Sequence, residues 1–263
     1  MKKSKEIKTI YYSDELNDEF SEAKIKAIPI DENYNYGSDS FAWRVLHFLY
    51  YRIIAFPLAA IFLRLKYRHK IVNRSALKKM KKQAFFLFAN HTNPIADALI
   101  PTFVAFPSQV FVIVHAANVS IPILGQSTKY LGALPLPENL RATKNFMQIL
   151  KTRIQGGHAI CIYPEAHIWP FYTKIRPFSD ASFRYPVQYK VPTFCFTNTY
   201  QKRRFSKNPR IVTYIDGPFF ADDNISAKEA RANLRNKVYN AMCSRAKNNS
   251  VEIIHYEKSS EKK

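Results

Sequence analysis

The stretch that decides the fold is Asn90-His91-Thr92-Asn93-Pro94-Ile95-Ala96-Asp97, because a strand pattern changes to a helix pattern within it. The apolar, aromatic-rich run 84–89 before it is short and ends at polar residues, which predicts a buried strand. Asn93 followed by Pro94 predicts a helix cap and a first helical residue, since Asn accepts from free backbone N–H groups and Pro has none to leave unpaired. We therefore expect His91 in a tight strand-to-helix turn and Asp97 about one turn into the helix.

A His and an Asp that meet at the end of a strand can form a general base and the group that orients it. The carboxylate would fix the tautomer of the His91 imidazole and stabilise its protonated form, while the other ring nitrogen takes a proton from a hydroxyl. Coincidence is the alternative, since pattern matches of this kind also arise by chance. A second stretch favours catalysis, because 161–167, Cys-Ile-Tyr-Pro-Glu-Ala-His, again ends an apolar run in polar residues.

Together these stretches resemble the glycerolipid acyltransferase family, whose best-known members acylate lysophosphatidic acid. That family carries an Asn-His-x-x-x-x-Asp block and, farther on, a Phe-Pro-Glu-Gly-Thr-Arg block. Its Gly-containing block between them resembles Leu-Gly-Ala-Leu-Pro at 131–135, and its Val-Pro block resembles Val-Pro-Thr-Phe at 191–194. The order and rough spacing match from about residue 80 to about residue 200, which is a larger signal than any one block gives.

The chain departs from the family pattern in two places. Five residues separate His91 from Asp97, where the family usually has four, so the extra residue must be taken up in the cap turn if the pair is to meet. Ala166-His167-Ile168 replaces the family's Gly-Thr-Arg, whose Arg is thought to help hold the acceptor phosphate. The candidates to replace that Arg are Lys174, Arg176 and His167.

The resemblance implies O-acyl transfer by a His/Asp general base, without a covalent acyl-enzyme. His91 and Asp97 would be catalytic, and Asn90 or backbone N–H groups near Asn93 would face the developing oxyanion. By resemblance, Pro164 and Glu165 shape the acceptor site. The co-substrate would be acyl-CoA or an acyl carrier protein, with no other cofactor and no metal site.

Composition predicts one sizeable α/β domain, or one domain with an appendage. The chain has 263 residues, of which 47% are hydrophobic and 14% aromatic, enough to bury a core. Its net charge is +20, although residues 1–40 hold more acidic than basic side chains. This excess indicates a polyanionic partner, of which an anionic membrane, a phosphorylated substrate and nucleic acid are the candidates. We interpret 1–40 as a polar, weakly ordered N-terminal arm.

Residues 41–66 predict a membrane-interface helical segment. The apolar run 53–63 is too short to span about 30 Å of hydrocarbon, Arg52 interrupts a longer span and Pro57 would kink it. A buried core helix and a true span over 45–63 are the alternatives. The basic cluster at 66–83 favours attraction to anionic lipid, with a nucleic-acid patch as the competing interpretation. It comprises Lys66, Arg68, Lys70, Arg74, Lys78, Lys79, Lys81 and Lys82.

The rest of the chain predicts a mixed sheet flanked by helices, as an acyltransferase domain over 67–257 with a polar tail at 258–263. Strands are expected at 109–115, 158–163, 193–197 and 211–215, and helices at 138–155, 181–188 and 227–247. His91 and Glu165 would both follow strand ends, where such sheets bind ligands.

The function expected from this pattern is acylation of a lysophospholipid, most of all 1-acylglycerol-3-phosphate to phosphatidic acid, in phospholipid biosynthesis. The same chemistry on a zwitterionic lysophospholipid, glycerol 3-phosphate or an aminolipid is one alternative. A non-catalytic basic protein that binds membrane or nucleic acid is the other. We expect a location on the cytoplasmic face of a membrane, with an anionic membrane surface as partner and no nucleic acid.

Overall fold

The computed structural model describes residues 7–21, 25–37, 40–80, 82–122 and 125–259. Within these ranges the chain alternates strands and helices, which confirms the predicted α/β class. The strands are β1 (Lys8–Tyr12), β2 (Lys70–Val72), β3 (Phe85–Ala89), β4 (Val110–Val114), β5 (Ala133–Pro135), β6 (Ala159–Ile162), β7 (Thr193–Gln201), β8 (Arg210–Phe219) and β9 (Ile254–Lys258). The α-helices are α1 (Phe41–Phe48), α2 (Phe56–Tyr67), α3 (Ala96–Ala105), α4 (Ala116–Val119), α5 (Leu140–Gln155), α6 (Arg184–Tyr189) and α7 (Ala227–Ala246).

Seven of these strands form one mixed sheet in the order β2-β8-β7-β3-β6-β4-β5. Strands β7, β3, β6, β4 and β5 run parallel, and β8 pairs antiparallel with β7 through a hairpin. The basic stretch at 202–209 is the loop of that hairpin. Because parallel strands share one carboxyl edge, the residues that follow β3 and β6 are brought side by side.

Strand β3 lies at the centre of the sheet and is buried on both faces. Phe86 and Phe88 pack into the hydrophobic cluster on one face, whereas Phe85, Leu87 and Ala89 pack into the cluster on the other. This alternation follows from the two-residue period of a strand. It explains why the run is apolar throughout rather than alternating with polar residues.

Most of the predicted elements form, with ends that differ by a few residues. The helix expected at 181–188 is a 3₁₀ turn, Ala181–Phe183, followed by α6. Strands β2 and β5 have three residues each and were not predicted, because so short a run gives no periodic pattern.

Helices α1 and α2 are joined by a π-helical segment, Leu49–Ala55, into one helix of 27 residues, Phe41–Tyr67. This helix is long and apolar enough to cross a membrane. Pro57 lies just after the π segment, where the N–H of Phe56 donates to the carbonyl of Tyr51, five residues back. The expected kink is therefore taken up as a wider turn within a continuous helix.

One side of this helix packs on the sheet and the other is exposed. The buried residues recur about every four positions. In an α-helix, residues four apart are rotated by about 40° relative to each other around the helix axis, and the wider π turns cancel part of this rotation. The same side therefore faces the core along the whole length. The buried residues are Trp43, His47, Tyr51, Ala59, Leu63 and Tyr67.

The N-terminal arm differs from the weakly ordered segment that composition predicts. Strand β1 pairs in parallel with β9, so the two ends of the chain form a separate two-stranded sheet. A five-residue strand with a mixed polar face lacks a clear pattern, and its partner lies more than 240 residues away. Parts of the arm (1–6, 22–24 and 38–39), Lys81 of the basic cluster and 260–263 of the tail lie outside the described residues.

Candidate active site

Cap chemistry builds the turn between β3 and α3. The side-chain oxygen of Asn93 accepts from the N–H of Ala96 at 2.9 Å, and its backbone carbonyl accepts from the N–H of Asp97 at 2.9 Å. Pro94 follows in the position where a missing N–H costs nothing. Asn93 therefore caps the turn as the sequence predicts, but Pro94 lies in that turn and the helix begins two residues later than expected, at Ala96. Asp97 is thus the second helical residue rather than one turn into the helix, and its side chain faces back toward His91.

His91 and Asp97 are in direct contact. The imidazole Nδ1 lies 3.0 Å from Asp97 Oδ2, so the five-residue gap still brings the pair together. The side chain of Asp97 is 1% exposed and that of His91 18% exposed, which leaves the imidazole as the group of the pair that reaches the surface.

The carboxylate of Asp97 is fixed by further donors. Its Oδ2 accepts from the N–H of Thr92 at 2.7 Å and of Asn93 at 2.8 Å, and its Oδ1 accepts from Asn198 Nδ2 at 3.2 Å. With this acceptor fixed, Nδ1 of His91 carries the proton and Nε2 is the ring nitrogen that can accept one. This is the arrangement that a general base requires.

Tyr163, the residue directly after β6, supports the His91 side chain. Its ring stacks on the imidazole, with 4.4 Å between centroids and 23° between planes. Its hydroxyl donates to the backbone carbonyl of Asp97 at 2.5 Å. The ring therefore holds the imidazole from one side while its hydroxyl is tied to the helix that carries Asp97.

Glu165 lies beneath the His91 loop. Its Oε2 accepts from the backbone N–H of His91 at 3.2 Å and lies 3.6 Å from Nε of Arg176. Both side chains are fully buried. Burial raises the pKa of Glu165 to about 7, although the charge of Arg176 and the N–H of His91 act in the opposite direction. Glu165 thus holds the backbone of the loop rather than facing solvent.

Residues 68–197 match the family model described as Acyltransferase. This chain belongs to the acyltransferase family. Its fold is similar to the crystal structure of the 1-acyl-sn-glycerophosphate (LPA) acyltransferase, PlsC, from Thermotoga maritima, with a TM-score of 0.54 and 18% identity over 75% of this chain and 81% of that chain. No curated protein sequence matches this chain. The family model supports acyl transfer, and the similarity to PlsC supports the α/β fold.

The oxyanion role expected of Asn90 and Asn93 is not supported in this acyltransferase. The Asn90 amide donates to the carbonyl of Asn198 at 3.0 Å and accepts from its N–H at 2.8 Å, which joins β3 to β7. The Asn93 side-chain oxygen accepts from the N–H of Ala96, and its amide nitrogen donates to the hydroxyl of Tyr67. The N–H groups of 91, 92, 93 and 96 all have partners as well. These four donors and the two side-chain amides are therefore used within the protein.

Arg176 differs most from its predicted role, because it is fully buried rather than placed for a phosphate. It donates to the carbonyls of Glu165, His167 and Glu15, and its guanidinium lies 4.9 Å from the ring centroid of Trp169. A guanidinium enclosed in this way has no face left for a substrate. In this acyltransferase these contacts tie Arg176 to the loop that carries Glu165.

The other predicted acceptor residues lie nearer the surface. His167 is partly exposed, and its Nδ1 lies 3.2 Å from Oε2 of Glu19 in the N-terminal arm. Lys174 is exposed and borders a cavity of about 240 Å³ beside α7, together with Cys243 and Lys247. Pro164 is half-buried between Tyr163 and Glu165. Of these, only Pro164 adjoins the His91 ring support.

Asn198 and Tyr163 were not predicted as site residues. Asn198 lies in β7 and contacts Asp97 because β7 pairs with β3. The residues next to Asn198 in the sequence therefore do not predict this contact. Tyr163 does carry a signal, since it stands at a strand end directly before Pro164 and Glu165. An aromatic residue at that position could have been recognised as a partner for the His on the neighbouring strand.

Proposed function

We propose that this acyltransferase moves a fatty acyl group from a thioester donor, acyl-CoA or an acyl carrier protein, to the free hydroxyl of a lysophospholipid. The acceptor proposed is 1-acylglycerol-3-phosphate, and the product is phosphatidic acid. The contact of 3.0 Å between His91 and Asp97, in a chain of the acyltransferase family, carries this proposal. The substrate named for PlsC, whose fold is similar, agrees with it.

In the proposed mechanism Nε2 of His91 takes the proton of the acceptor hydroxyl. The hydroxyl oxygen attacks the thioester carbonyl carbon, and Asp97 stabilises the imidazolium that forms. The C–S bond then breaks, and the thiolate leaves with the proton from His91. The products are an ester and a free thiol, so the imidazole is restored and no residue of the chain is acylated.

We propose that the protein works at a membrane surface. The exposed side of helix Phe41–Tyr67 is apolar, and the cluster at 66–83 is basic. An interfacial helix beside basic residues favours an anionic bilayer, at about 1 kcal/mol per basic side chain. A position on the cytoplasmic face would give access to either donor, and nucleic acid has no role in this proposal.

A different acceptor is the second candidate, and the burial of Arg176 favours it. A phosphate monoester is best held by a bidentate Arg, and the position of the family's Arg is occupied by Ile168. A zwitterionic lysophospholipid or an aminolipid would need less positive charge at that point. Glycerol 3-phosphate would need the same charge as lysophosphatidic acid.

The experiment is acyl transfer from labelled acyl-CoA and from acylated carrier protein to lysophosphatidic acid, lysophosphatidylcholine and glycerol 3-phosphate. His91→Ala should abolish transfer. His255→Ala is the matched control, because His255 is exposed on β9, far along the chain from His91, and its imidazole contacts nearby Glu252. Binding to vesicles that contain anionic lipid is measured in parallel.

Transfer that His91→Ala removes and His255→Ala retains supports the proposal, and the preferred acceptor decides between the two candidates. Transfer that survives in His91→Ala would reject the general base. Vesicle binding without transfer to any of the three acceptors would instead favour the non-catalytic alternative.

A further inference from the structure

A second cavity, of about 260 Å³, lies between the N-terminal helix and the sheet. Its lining contains three arginines and two histidines, together with aromatic rings and one amide. In the ranges that the structure describes, no carboxylate lines it. A cavity with several cationic side chains and no acid is suited to an anion. The charged or titratable residues are Arg44, His47, Arg52, Arg153 and His158.

Two of the three arginines, Arg52 and Arg153, lie against aromatic rings. Arg153 is 3% exposed, and its guanidinium lies 4.7 Å from the ring centroid of Trp43 and 4.8 Å from that of Phe111. Arg52 donates to the carbonyl of Pro107 at 2.6 Å through Nη2. Its Nη1 is buried and has no hydrogen-bond partner among the described residues. A buried guanidinium donor left in this way is costly unless an acceptor arrives.

The cavity lies on the edge of the sheet opposite the candidate active site. Gln109 and His158 precede β4 and β6, whereas His91 and Glu165 follow β3 and β6. The four residues of β6 separate the two edges by about 13 Å at a rise of about 3.3 Å per residue. A ligand in this cavity therefore does not touch the His91–Asp97 pair.

The helix that forms one wall of the cavity also carries the exposed apolar surface. Arg44 and Arg52 line the cavity, while Val45, Leu49 and Ile53 on the same helix are exposed. If this surface rests on a bilayer, the arginines lie at the depth of the lipid headgroups. A volume of about 260 Å³ suits a single phosphate headgroup and is too small for a nucleic-acid strand.

We propose that this cavity binds the phosphate headgroup of an anionic phospholipid and thereby seats the N-terminal helix on the membrane. The lipid would act as a structural ligand, distinct from the acceptor that reacts at His91. The inference rests on the proposed action at a membrane surface. It does not depend on the identity of the acyl acceptor.

The test is calorimetric titration of the full chain in non-ionic detergent with dihexanoyl phosphatidylglycerol, dihexanoyl phosphatidylcholine and CoA. Wild type should bind the anionic lipid more tightly than the zwitterionic one. Arg153→Gln and Arg44→Gln should each weaken anionic-lipid binding by about tenfold, as loss of a charge-assisted hydrogen bond predicts. Lys144→Gln is the matched control, because it removes the same charge from the exposed side of α5 and should leave binding unchanged.

Arg44 is exposed on the cavity rim, so Arg44→Gln keeps the test valid if the buried Arg153→Gln variant does not fold. Equal binding of the two lipids, or unchanged affinity in both arginine variants, would overturn the proposal. Loss of CoA binding in those variants would also overturn it, because the site would then belong to the donor. His91→Ala should bind the lipid like wild type, so that failure of acyl transfer and failure of this site remain distinguishable.

Discussion

The turns that follow β3 and β6 lie side by side at one edge of the sheet, and they have opposite exposure. The β3 turn presents the His91 imidazole to the surface over a buried carboxylate. The β6 turn carries Glu165, which is completely buried against Arg176 from farther along the chain, and the N-terminal arm contacts this turn through Glu19 and His167. A polar residue at a strand end is therefore not always available to a substrate. Its exposure depends on which other segments pack over it.

The difference assigns separate tasks to the two turns. In the β3 turn the backbone N–H groups orient a carboxylate that orients an imidazole. In the β6 turn a buried pair supports the backbone of that first turn through the N–H of His91. Substitutions in the β3 turn should therefore act on turnover, and substitutions in the β6 turn should act on stability.

The largest effect is expected for Asp97→Asn, which should lower kcat by about 10³-fold or more with the protein still folded. The amide removes the negative charge that stabilises the imidazolium, and it offers a competing donor to the N–H groups around it. Single-turnover transfer assays measure the loss, and circular dichroism checks the fold. Asp222→Asn, at an exposed turn, is the control. A turnover near that of wild type would mean that another group orients His91.

Arg176→Ala should lower the free energy of unfolding by about 3 kcal/mol. It leaves the Glu165 carboxylate buried without its ion-pair partner and frees three carbonyl groups from their donor. Urea denaturation measures the change, with exposed Arg204→Ala as the control.

For the folded fraction of Arg176→Ala, the KM for the acceptor should stay close to that of wild type. A raised KM with unchanged stability would restore the phosphate role to Arg176. That result would break the contrast between the two turns.

Glu165→Gln should change how stability depends on pH. Burial raises the pKa of Glu165 to about 7, so between pH 4.5 and 7 the folded protein holds a proton that the unfolded chain has released. This carboxyl therefore adds to the free energy of unfolding below pH 4.5, and that contribution, roughly 3 kcal/mol, is lost as the pH rises through 7. Relative to Glu165→Gln, wild type should therefore lose most of this amount, roughly 2.5 kcal/mol, between pH 5 and pH 8, since part of it is already lost below pH 5.

Urea denaturation at the two pH values gives the measurement. Glu257→Gln, on the exposed side of β9, should follow the wild-type profile. If Glu165→Gln and wild type depend on pH in parallel, Glu165 is ionised throughout. The buried pair would then be a permanent salt bridge.

Local chemistry explains which parts could be predicted from the sequence. Strand β3 is recognisable because five consecutive residues are apolar, and the contact of His91 with Asp97 follows from the capping preference of Asn93 and Pro94. Each of these depends on neighbours within about one helical turn. The α/β class follows in the same way, from the alternation of strand and helix patterns.

The features that sequence reasoning missed depend on contacts between distant parts of the chain. The burial of Arg176 requires Glu15 and the rest of the arm to pack on a loop about 160 residues away. Asn198 reaches Asp97 across about 100 residues, through the pairing of β7 with β3. Because such contacts leave no periodic pattern, sequence reasoning could not distinguish a basic residue near Ala166-His167-Ile168, the stretch that departs from the family, from a phosphate ligand.

The smallest effect concerns Ala166, which stands where the family block has Gly. Its φ is +62°, in the left-handed region that glycine adopts without a steric penalty. Ala166→Gly should therefore raise the free energy of unfolding by about 0.5 kcal/mol, because relief of the strain slightly exceeds the added entropy of the unfolded chain. Ala232→Gly, within α7, should lower it by about 1 kcal/mol. Urea denaturation gives both values, and a loss of stability in both variants would show that the β6 turn holds Ala166 without strain, by packing rather than by backbone preference.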